Sequence, residues 1–393
     1  MSFFEGNLIL EASCASGIEA ILKRELISFG YNPKGANYGR IPFEGSFLDV
    51  AKANFFLRTA NRVRIVISQF EANTFDGLYD GIFAINWKEI ISKDGKVIVN
   101  AKSIKSTLFA LSSIQSISKK AIVAKMGNSL VETGPEYNIE VSIIENNVKV
   151  SLDTSGDSLH KRGYRTYVGA APMRETTAAA IIELSVWNKD RAFVDPFCGS
   201  GTFPIEAALI ALNIAPGINR TFAYEQWANS PTVRDIAYQE AKDKEQLDTS
   251  VRISGFDIDK DAISLAMKHA QNAGVRDKIH FQVQDMRALS SRFAHGVIVT
   301  NPPYGERLLS NSEVQALYKD FGKVFSSLDE WCAYIITSYK GFEKYFGKTA
   351  NKTRKLYNSE LECVLYQYLG KAPQKEGNKW EQLYKEQDQQ HYL

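Results

Sequence analysis

Residues 296–304 read Gly296-Val297-Ile298-Val299-Thr300-Asn301-Pro302-Pro303-Tyr304. The β-branched apolar run predicts a buried strand. Two prolines directly after it end the ladder and stiffen the turn, because each lacks an N–H and has φ fixed. A rigid corner of one Asn, two prolines and an aromatic ring at a strand's carboxyl end suits one task. The Asn301 oxygen and a neighbouring backbone carbonyl can accept both hydrogens of a planar amino group, while Tyr304 stacks on the ring that carries it. Such a corner holds an exocyclic base nitrogen, or an amide nitrogen, for attack on an electrophile.

Outward from this corner, apolar strands alternate with helical segments. Strands are expected over 192–194, 251–256, 278–283, 296–300 and 331–337, with a late hairpin over 355–368. That alternation argues for a parallel, doubly wound sheet. Residues 213–249 are long and charged and read as an inserted helical excursion. In open α/β sheets ligands gather at the carboxyl ends of strands near the switch point. Four strand ends here carry ligand-type residues: Asp195, Asp257, Asp285 and Asn301.

Asp195-Pro196-Phe197-Cys198-Gly199-Ser200-Gly201-Thr202 follows the first of these strands and leads into a helix. Its glycines let backbone pass close to a ligand and free a helix N-terminus to face it. The spacing is neither GxGxxG nor GxxxxGK[ST], so the dinucleotide fingerprint and the phosphate-cradling loop are both excluded. It suits a ligand with an amino-acid tail, with Asp195 facing the ammonium group; a purely structural glycine turn is the alternative. In Gly255-Phe256-Asp257-Ile258-Asp259, a carboxylate at the strand end can grip both ribose hydroxyls, with Asp259 or Asp261 capping the next helix. In Gln284-Asp285-Met286, Asp285 can accept from an adenine amino group and Met286 can pack on its ring, although an Asp after a strand is often only a helix cap.

At 393 residues the chain is long for one core, and two or three domains are expected. In the first part, Ser16-Gly17-Ile18-Glu19 reads as a capping box, with Gly30 as the C′ glycine of the helix that follows. Strands are expected at 8–11, 39–43 and 63–70, and a helix at 47–59. Further helices are expected at 83–91 and 109–123, an extended run at 96–101, and two strands, 137–145 and 147–153, about an Asn146-Asn147 turn. Polar Asp-Thr-Ser-Gly at 153–156 marks a domain boundary. No run approaches the 18–20 apolar residues that span a bilayer, and the start lacks the pattern of a secretory leader. Four scattered cysteines point to reduced thiols in a cytoplasmic protein, and no Cys/His spacing suggests a metal. The net charge is only +2, yet residues 95–131 contain no acidic residue and include Lys96, Lys102, Lys105, Lys119, Lys120 and Lys125. That segment is either a solvated face or a phosphate-binding one.

Taken in order, Asp-Pro-x-Cys-Gly-Ser-Gly-Thr, Gly-x-Asp-Ile-Asp, Gln-Asp-Met and Asn-Pro-Pro-Tyr-Gly-Glu-Arg-Leu resemble the class I S-adenosylmethionine methyltransferases. More narrowly, the chain is similar to the THUMP-containing RNA guanine-N2 methyltransferases that act on large-subunit (23S) ribosomal RNA, the RlmL/YpsC group. Leu159–Arg165 and Ala171-Pro172-Met173-Arg174-Glu175-Thr176 resemble that group's linker and the lead-in to its catalytic domain. The likeness covers nearly the whole chain, although larger members carry a second methyltransferase domain for which this chain has no room.

The resemblance implies an α/β fold: a C-terminal Rossmann-like methyltransferase domain with a mostly parallel seven-stranded sheet, preceded by α+β ferredoxin-like and THUMP domains. The boundaries it implies are 1–65 for the ferredoxin-like unit, 66–155 for THUMP (starting near 45 in the family's style) and 160–385 for the methyltransferase. Carried over, Thr176, Asp195, Cys198, Gly199, Gly201, Asp257, Ile258, Asp285, Met286 and Asn301 would bind S-adenosylmethionine. Asn301, Pro302, Pro303 and Tyr304 would form the catalytic amino-group pocket, and Glu306 and Arg307 could touch the nucleotide. Lys102, Lys105, Lys119, Lys120 and Lys125 would bind RNA. The activity implied is methyl transfer to guanosine N2, in 23S rRNA or a large-subunit assembly intermediate, without metal or membrane. Alternatives are a tRNA guanine-N2 enzyme, an N6-adenine or protein-glutamine methyltransferase, and a non-catalytic RNA-binding protein.

Overall fold

The computed structural model describes residues 3–36, 38–127, 130–165, 173–227, 230–304, 310–358 and 361–371. They fall into two compact units, one from residues up to 14, 23–159 and 220–243, the other from 15–22, 160–219 and 244 onward. The early elements are β1 (Leu8–Ser13), α1 (Glu19–Ser28), β2 (Arg40–Gly45), α2 (Phe47–Phe56), β3 (Arg62–Glu71) and α3 (Phe75–Ala84). They continue with β4 (Lys96–Ile104), α4 (Leu111–Lys125), β5 (Glu136–Ile144) and β6 (Asn147–Asp153).

In the first unit these strands form one sheet in the order β2-β1-β3-β6-β5-β4, with only β4 and β5 parallel. β3 runs through the expected border at residue 65, so the two N-terminal modules share one continuous sheet.

Several local expectations need correction. α1 starts at Glu19, whose carboxylate accepts from Gly17 N at 2.8 Å rather than from Ser16, because the chain turns once more before the helix begins. The capping box lies instead at Ser46 and Asp49, before α2. Gly30 does end α1: its φ is +86°, Gly30 N–H donates to Ile27 O and Tyr31 N–H to Leu26 O. Of the helix expected at 83–91, only residues 83 and 84 are α-helical, as the end of α3, which Thr74 caps; a short 3-10 turn at Trp87–Glu89 follows. Trp87 is buried there and donates from Nε1 to Ile82 O at 2.8 Å, so its apolar neighbours pack a turn, not a helix face. The β5–β6 turn is Glu145-Asn146, both with positive φ, one residue earlier than expected.

The polar stretch at 153–156, where a domain boundary is expected, is tied down by hydrogen bonds. Thr154 and Ser155 are fully buried. Asn54 Nδ2 donates to Thr154 Oγ1 at 2.8 Å, Thr154 Oγ1 to Val63 O at 2.7 Å and Ser155 Oγ to Asn54 Oδ1 at 2.6 Å. Each buried polar group satisfies another, which is the condition for burying them at all.

The second unit contains α5 (Glu175–Leu184), β7 (Phe193–Asp195), α6 (Thr202–Ala211), β8 (Ile253–Asp257), α8 (Lys260–Asn272), β9 (Ile279–Val283) and β10 (Val297–Thr300). It continues with α9 (Asn311–Ser327), β11 (Cys332–Thr337), α10 (Phe342–Phe346), β12 (Lys352–Asn358) and β13 (Leu361–Tyr368). Its sheet order is β12-β13-β11-β10-β7-β8-β9; β9 to β11 are parallel and the β12–β13 hairpin is antiparallel. β7 sits centrally with its two chain successors on one side and β10 on the other, so the switch point lies between β7 and β10.

Between α6 and β8 the sequence makes the expected excursion, with a helix α7 (Ser230–Asp243). Residues 220–243 belong to the first unit. Trp227 stacks on Tyr137 at 5.5 Å and 8° and donates to Glu136 O at 3.2 Å. Phe222 packs edge-on against Phe55, and Lys52 pairs with Glu240 at 2.8 Å. We predict that Trp227→Ala lowers the stability of the first unit by about 3–5 kcal/mol. Urea unfolding followed by tyrosine and tryptophan fluorescence reads this; an unchanged midpoint would show that the segment merely rests on the sheet.

Candidate functional site

The carboxyl ends of β7, β8 and β10 converge at the switch point of the second unit. Asp195 closes β7 and is buried, with 1% of its surface exposed. Its Oδ1 accepts from Thr300 Oγ1 at 2.6 Å and from Phe197 N at 3.1 Å, leaving Oδ2 for a ligand. Burial raises its carboxyl from the ordinary 3.8 to about 7, against these two hydrogen bonds and with Asp257 adding to the rise. A carboxylate held this way gains from an incoming cation.

The glycine loop is locked on both sides. Cys198 N donates to Phe256 O at 2.8 Å, Gly199 N to Asp257 Oδ2 at 2.9 Å, and the buried His269 Nδ1 donates to Ser200 O at 3.1 Å. Burial lowers the His269 pKa. Gly201 caps α6 at φ +86°, and a Cβ there would stand 3.0 Å from the Ala266 Cβ. A Cβ at Gly199 would meet nothing within 4 Å, so the loop is open on that side. Cys198 is buried and its thiol pushed up by burial, which makes it a wall, not a nucleophile.

Asp257 accepts Gly199 N on Oδ2 and Asp259 N, at 3.0 Å, on Oδ1, so each oxygen keeps a free lone pair for a hydroxyl pair. Asp259 caps α8 as expected. Ile258 is 71% exposed, an apolar side chain presented beside Asp257 and fit to pack on a planar ring. Asp285 caps a short turn through Arg287 N at 2.8 Å and pairs with Arg287 Nη1 at 3.0 Å, while Arg287 Nε holds Asp320 at 2.8 Å. Met286 lies in the core with Val194, Leu289 and Ile298, so its side chain does not offer the ring contact expected of it. Thr176 is fully buried in the first turn of α5, behind the cap residue Arg174.

Asn301 directly follows β10, one residue past the Thr300–Asp195 bond. Its Oδ1 is buried and accepts no hydrogen bond among the described residues. The Pro302–Pro303 turn is fixed from below: the fully buried Tyr318 donates to Pro303 O at 2.8 Å and lies 3.2 Å from Thr337 Oγ1. Tyr304 follows the turn part-buried, and burial raises the pKa of its hydroxyl. Glu306, Arg307 and Ala171-Pro172 lie outside the described residues. Thr300, His269 and Tyr318 escaped the sequence reading. Only Thr300 had a signal, as the polar residue ending an apolar run.

The candidate RNA-binding lysines of the first unit differ in their surroundings. Lys102 leaves β4 among Glu11, Arg40, Arg64 and Glu140, and burial, then the Arg40 charge, lowers its pKa. Lys119 pairs with Glu132 at 2.7 Å and Lys125 lies 5.0 Å over the Phe83 ring. Lys105 and Lys120 are exposed.

The donor set fits an adenosyl amino acid: a buried carboxylate at an open glycine loop, a second carboxylate with free lone pairs and an exposed apolar side chain beside it. From the Asp195 shift, between pH 4 and 7 the native state holds more protons than the unfolded chain, so this group costs stability as pH rises through that window. Asp195→Asn is expected to remove that fall in chemical denaturation across pH 5–8. S-adenosylmethionine should bind more tightly above pH 7 and release a proton, read as a buffer-dependent calorimetric enthalpy. The variant should lose about 10–100-fold in affinity, the worth of a charged hydrogen bond.

Family models match three stretches: an RlmL ferredoxin-like domain at 10–64, a THUMP domain at 72–153 and an RMKL-like methyltransferase domain at 162–367. YpsC of Bacillus subtilis (strain 168) is 43% identical over 371 residues, covering 92% of this chain and 96% of that one. The ribosomal RNA large subunit methyltransferase K/L of Buchnera aphidicola is 31% identical over 92% of this chain, which spans 54% of that longer protein. Among solved structures, SMU.472 in complex with SAH superposes with a TM-score of 0.89 at 41% identity, over 94% of this chain and 100% of that one. The chain belongs to the RMKL-like S-adenosylmethionine-dependent methyltransferases, with RlmL-type ferredoxin-like and THUMP domains ahead of the catalytic one.

Proposed function

We propose that the chain methylates the exocyclic N2 of a guanosine in 23S ribosomal RNA, or in a large-subunit assembly intermediate, in the cytoplasm. The observation that carries this reading is the buried, unpartnered Asn301 Oδ1 at the end of β10. The THUMP match and the name of the K/L relatives point the substrate towards ribosomal RNA. We place the three modules at 1–65, 66–155 and 160–385.

S-adenosylmethionine, when bound, supplies an electrophilic methyl group on a sulfonium. Asp195 holds its ammonium group, Asp257 its ribose hydroxyls and Ile258 its purine face, with Asp285 at the purine edge through the lone pairs that Arg287 leaves. A guanine amino nitrogen is a poor nucleophile because its lone pair is delocalised into the ring. Asn301 Oδ1 accepts one of its hydrogens. A backbone carbonyl of the Pro302–Pro303 turn, which Tyr318 fixes from below, accepts the other. The two acceptors draw the nitrogen toward tetrahedral geometry and aim its lone pair, and this positioning supplies most of the rate. No strong base is needed, since the nitrogen becomes acidic only after methylation. The base must leave its stack, at a cost of a few kcal/mol.

Asn301→Ala is expected to lower methyl transfer by about 10²–10³-fold, as for loss of a preorganised polar contact. In cells lacking the protein, a nucleoside digest of ribosomal RNA should lose N2-methylguanosine, restored by wild type but not by Asn301→Ala. An unchanged nucleoside profile would sink the reading. Lys120→Glu should weaken RNA binding and reduce its salt slope by about one. Lys119→Glu adds repulsion to a cation that Glu132 already neutralises, so its effect should be smaller.

A further inference from the structure

Phe109 is the most exposed large apolar side chain among the described residues, at 79%. It stands in the loop between β4 and α4, and that loop is firmly fastened. Ser103 Oγ donates to Leu108 O at 2.6 Å and Ser106 Oγ to Ile104 O at 2.8 Å. Thr107 N–H donates to Asn146 Oδ1 at 2.8 Å, Asn146 N–H to Ser106 Oγ at 3.1 Å and Glu145 N–H to Ile104 O at 3.1 Å. Leu108 is buried, and Ala110 O accepts from Ile114 N at 3.0 Å as α4 begins. The backbone is thus pinned on both sides of a ring that it leaves in solvent. Lys105, exposed in the same loop, has φ +49°, a left-handed conformation that a lysine seldom adopts. Strain of this kind persists only where the surrounding structure holds it, and it gathers at binding sites. A slack loop would fold its ring onto the surface, whereas this one presents it with little ordering left to be done on binding.

The surface that follows the ring narrows the partner. On α4, Ser112, Ser116 and Lys120 are exposed at i, i+4 and i+8, a stripe about 12 Å long. Ile114, Ser118, Ala121 and Ile122 form the buried side of the same helix. Neither the loop nor the helix carries an acidic residue. Glu145 is the acid whose backbone joins the frame, and Leu111, at 45%, is the other exposed large apolar residue of the helix. A protein partner is marked by a contiguous apolar patch of a few hundred Å². One ring followed by hydroxyls and ammonium groups instead has the composition that meets a nucleic acid: an aromatic face for a base, with donors for phosphates. We propose that Phe109 is a stacking platform for an unpaired base of the RNA substrate, with Lys105 and the Ser112–Ser116–Lys120 stripe on the adjoining phosphates. The inference rests on the reading of the substrate as RNA. It narrows that substrate to a loop, bulge or end, because bases inside an A-form helix have no free face to stack on a side chain.

The test uses the full chain and two labelled probes: a single-stranded RNA of mixed sequence without self-pairing, and its perfect duplex. Phe109→Ala should weaken binding of the single strand by about 5–100-fold, the worth of one stacked base, and binding of the duplex by less than about twofold. Phe109→Trp should keep the wild-type affinity, and the single strand should quench the added indole relative to wild type. Phe109→Leu is apolar but has no π-face, so it should bind as weakly as the alanine variant. The tryptophan and leucine variants carry the comparison if the alanine variant fails to fold. None of these changes alters charge, so the salt slope should stay as in wild type, whereas Lys105→Ala should flatten it by about 0.7. Wild-type affinity of Phe109→Ala for the single strand, equal losses on both probes, or full affinity in Phe109→Leu would each overturn the stacking role alone. An unchanged slope in Lys105→Ala would remove that lysine from the site. If Phe109→Ala bound both probes normally yet no longer bound a large-subunit particle, the ring would belong to a protein partner instead. Wild type that bound neither probe nor ribosomal RNA would overturn the RNA reading beneath the proposal.

Discussion

A carboxylate buried at the carboxyl edge of a sheet, and the one hydroxyl that reaches it, organise the catalytic unit. The β7–β10 ladder covers only Phe193–Val297 and Val194–Ile298. The Thr300–Asp195 bond extends that short pairing by a side-chain link across the switch point. It ties the strand that leads into the glycine loop to the strand that leads into Asn301. The glycine loop and the Asn301 turn are thereby linked by a side-chain hydrogen bond. Desolvation of Asp195 works against the fold, a local conflict of the kind that natural chains keep where chemistry needs it.

Much of this was legible in the sequence, for a physical reason. Parallel strands buried on both faces read as apolar runs, and a polar residue closing such a run has few structural reasons to be there. Asp195, Asp257 and Asn301 were found this way, and each stands at the sheet edge with ligand capacity left. What sequence could not show is contact between distant residues. Tyr318 and His269 sit on helices whose periodicity marks them as packing residues, and their hydrogen bonds to Pro303 and Ser200 arise only when the helices dock. Met286 illustrates the converse: adjacency to Asp285 suggested the ligand, but the turn rotates it into the core.

The same limit explains the errors in the first unit. Trp87, Ile90 and Ile91 have helical spacing, yet they pack beneath a 3-10 turn, while α3 begins earlier at the Thr74 cap. At the expected boundary, the polar groups of Thr154 and Ser155 find partners in Asn54 and Val63, contacts between distant residues that sequence does not show. Two lysines of the acid-free stretch have partners that the stretch itself does not contain: Lys119 pairs with Glu132, just beyond it, and Lys125 lies over Phe83, from another helix.

The excursion of residues 220–243 into the first unit bears on how the protein is made. The sheet of that unit is complete in sequence by Asp153, but Trp227 and α7 cover it only after a large part of the catalytic unit has been synthesised. At ordinary elongation rates the delay between residue 159 and residue 243 is on the order of ten seconds. During that interval Tyr137 and Phe55 lack their aromatic partners, while β7 and α6 emerge without β8 to β11. The nascent chain therefore cannot mature module by module from its N-terminus. Its two units reach their native packing in overlapping periods, and the exposed aromatic surface of the first is a natural site for a chaperone to hold.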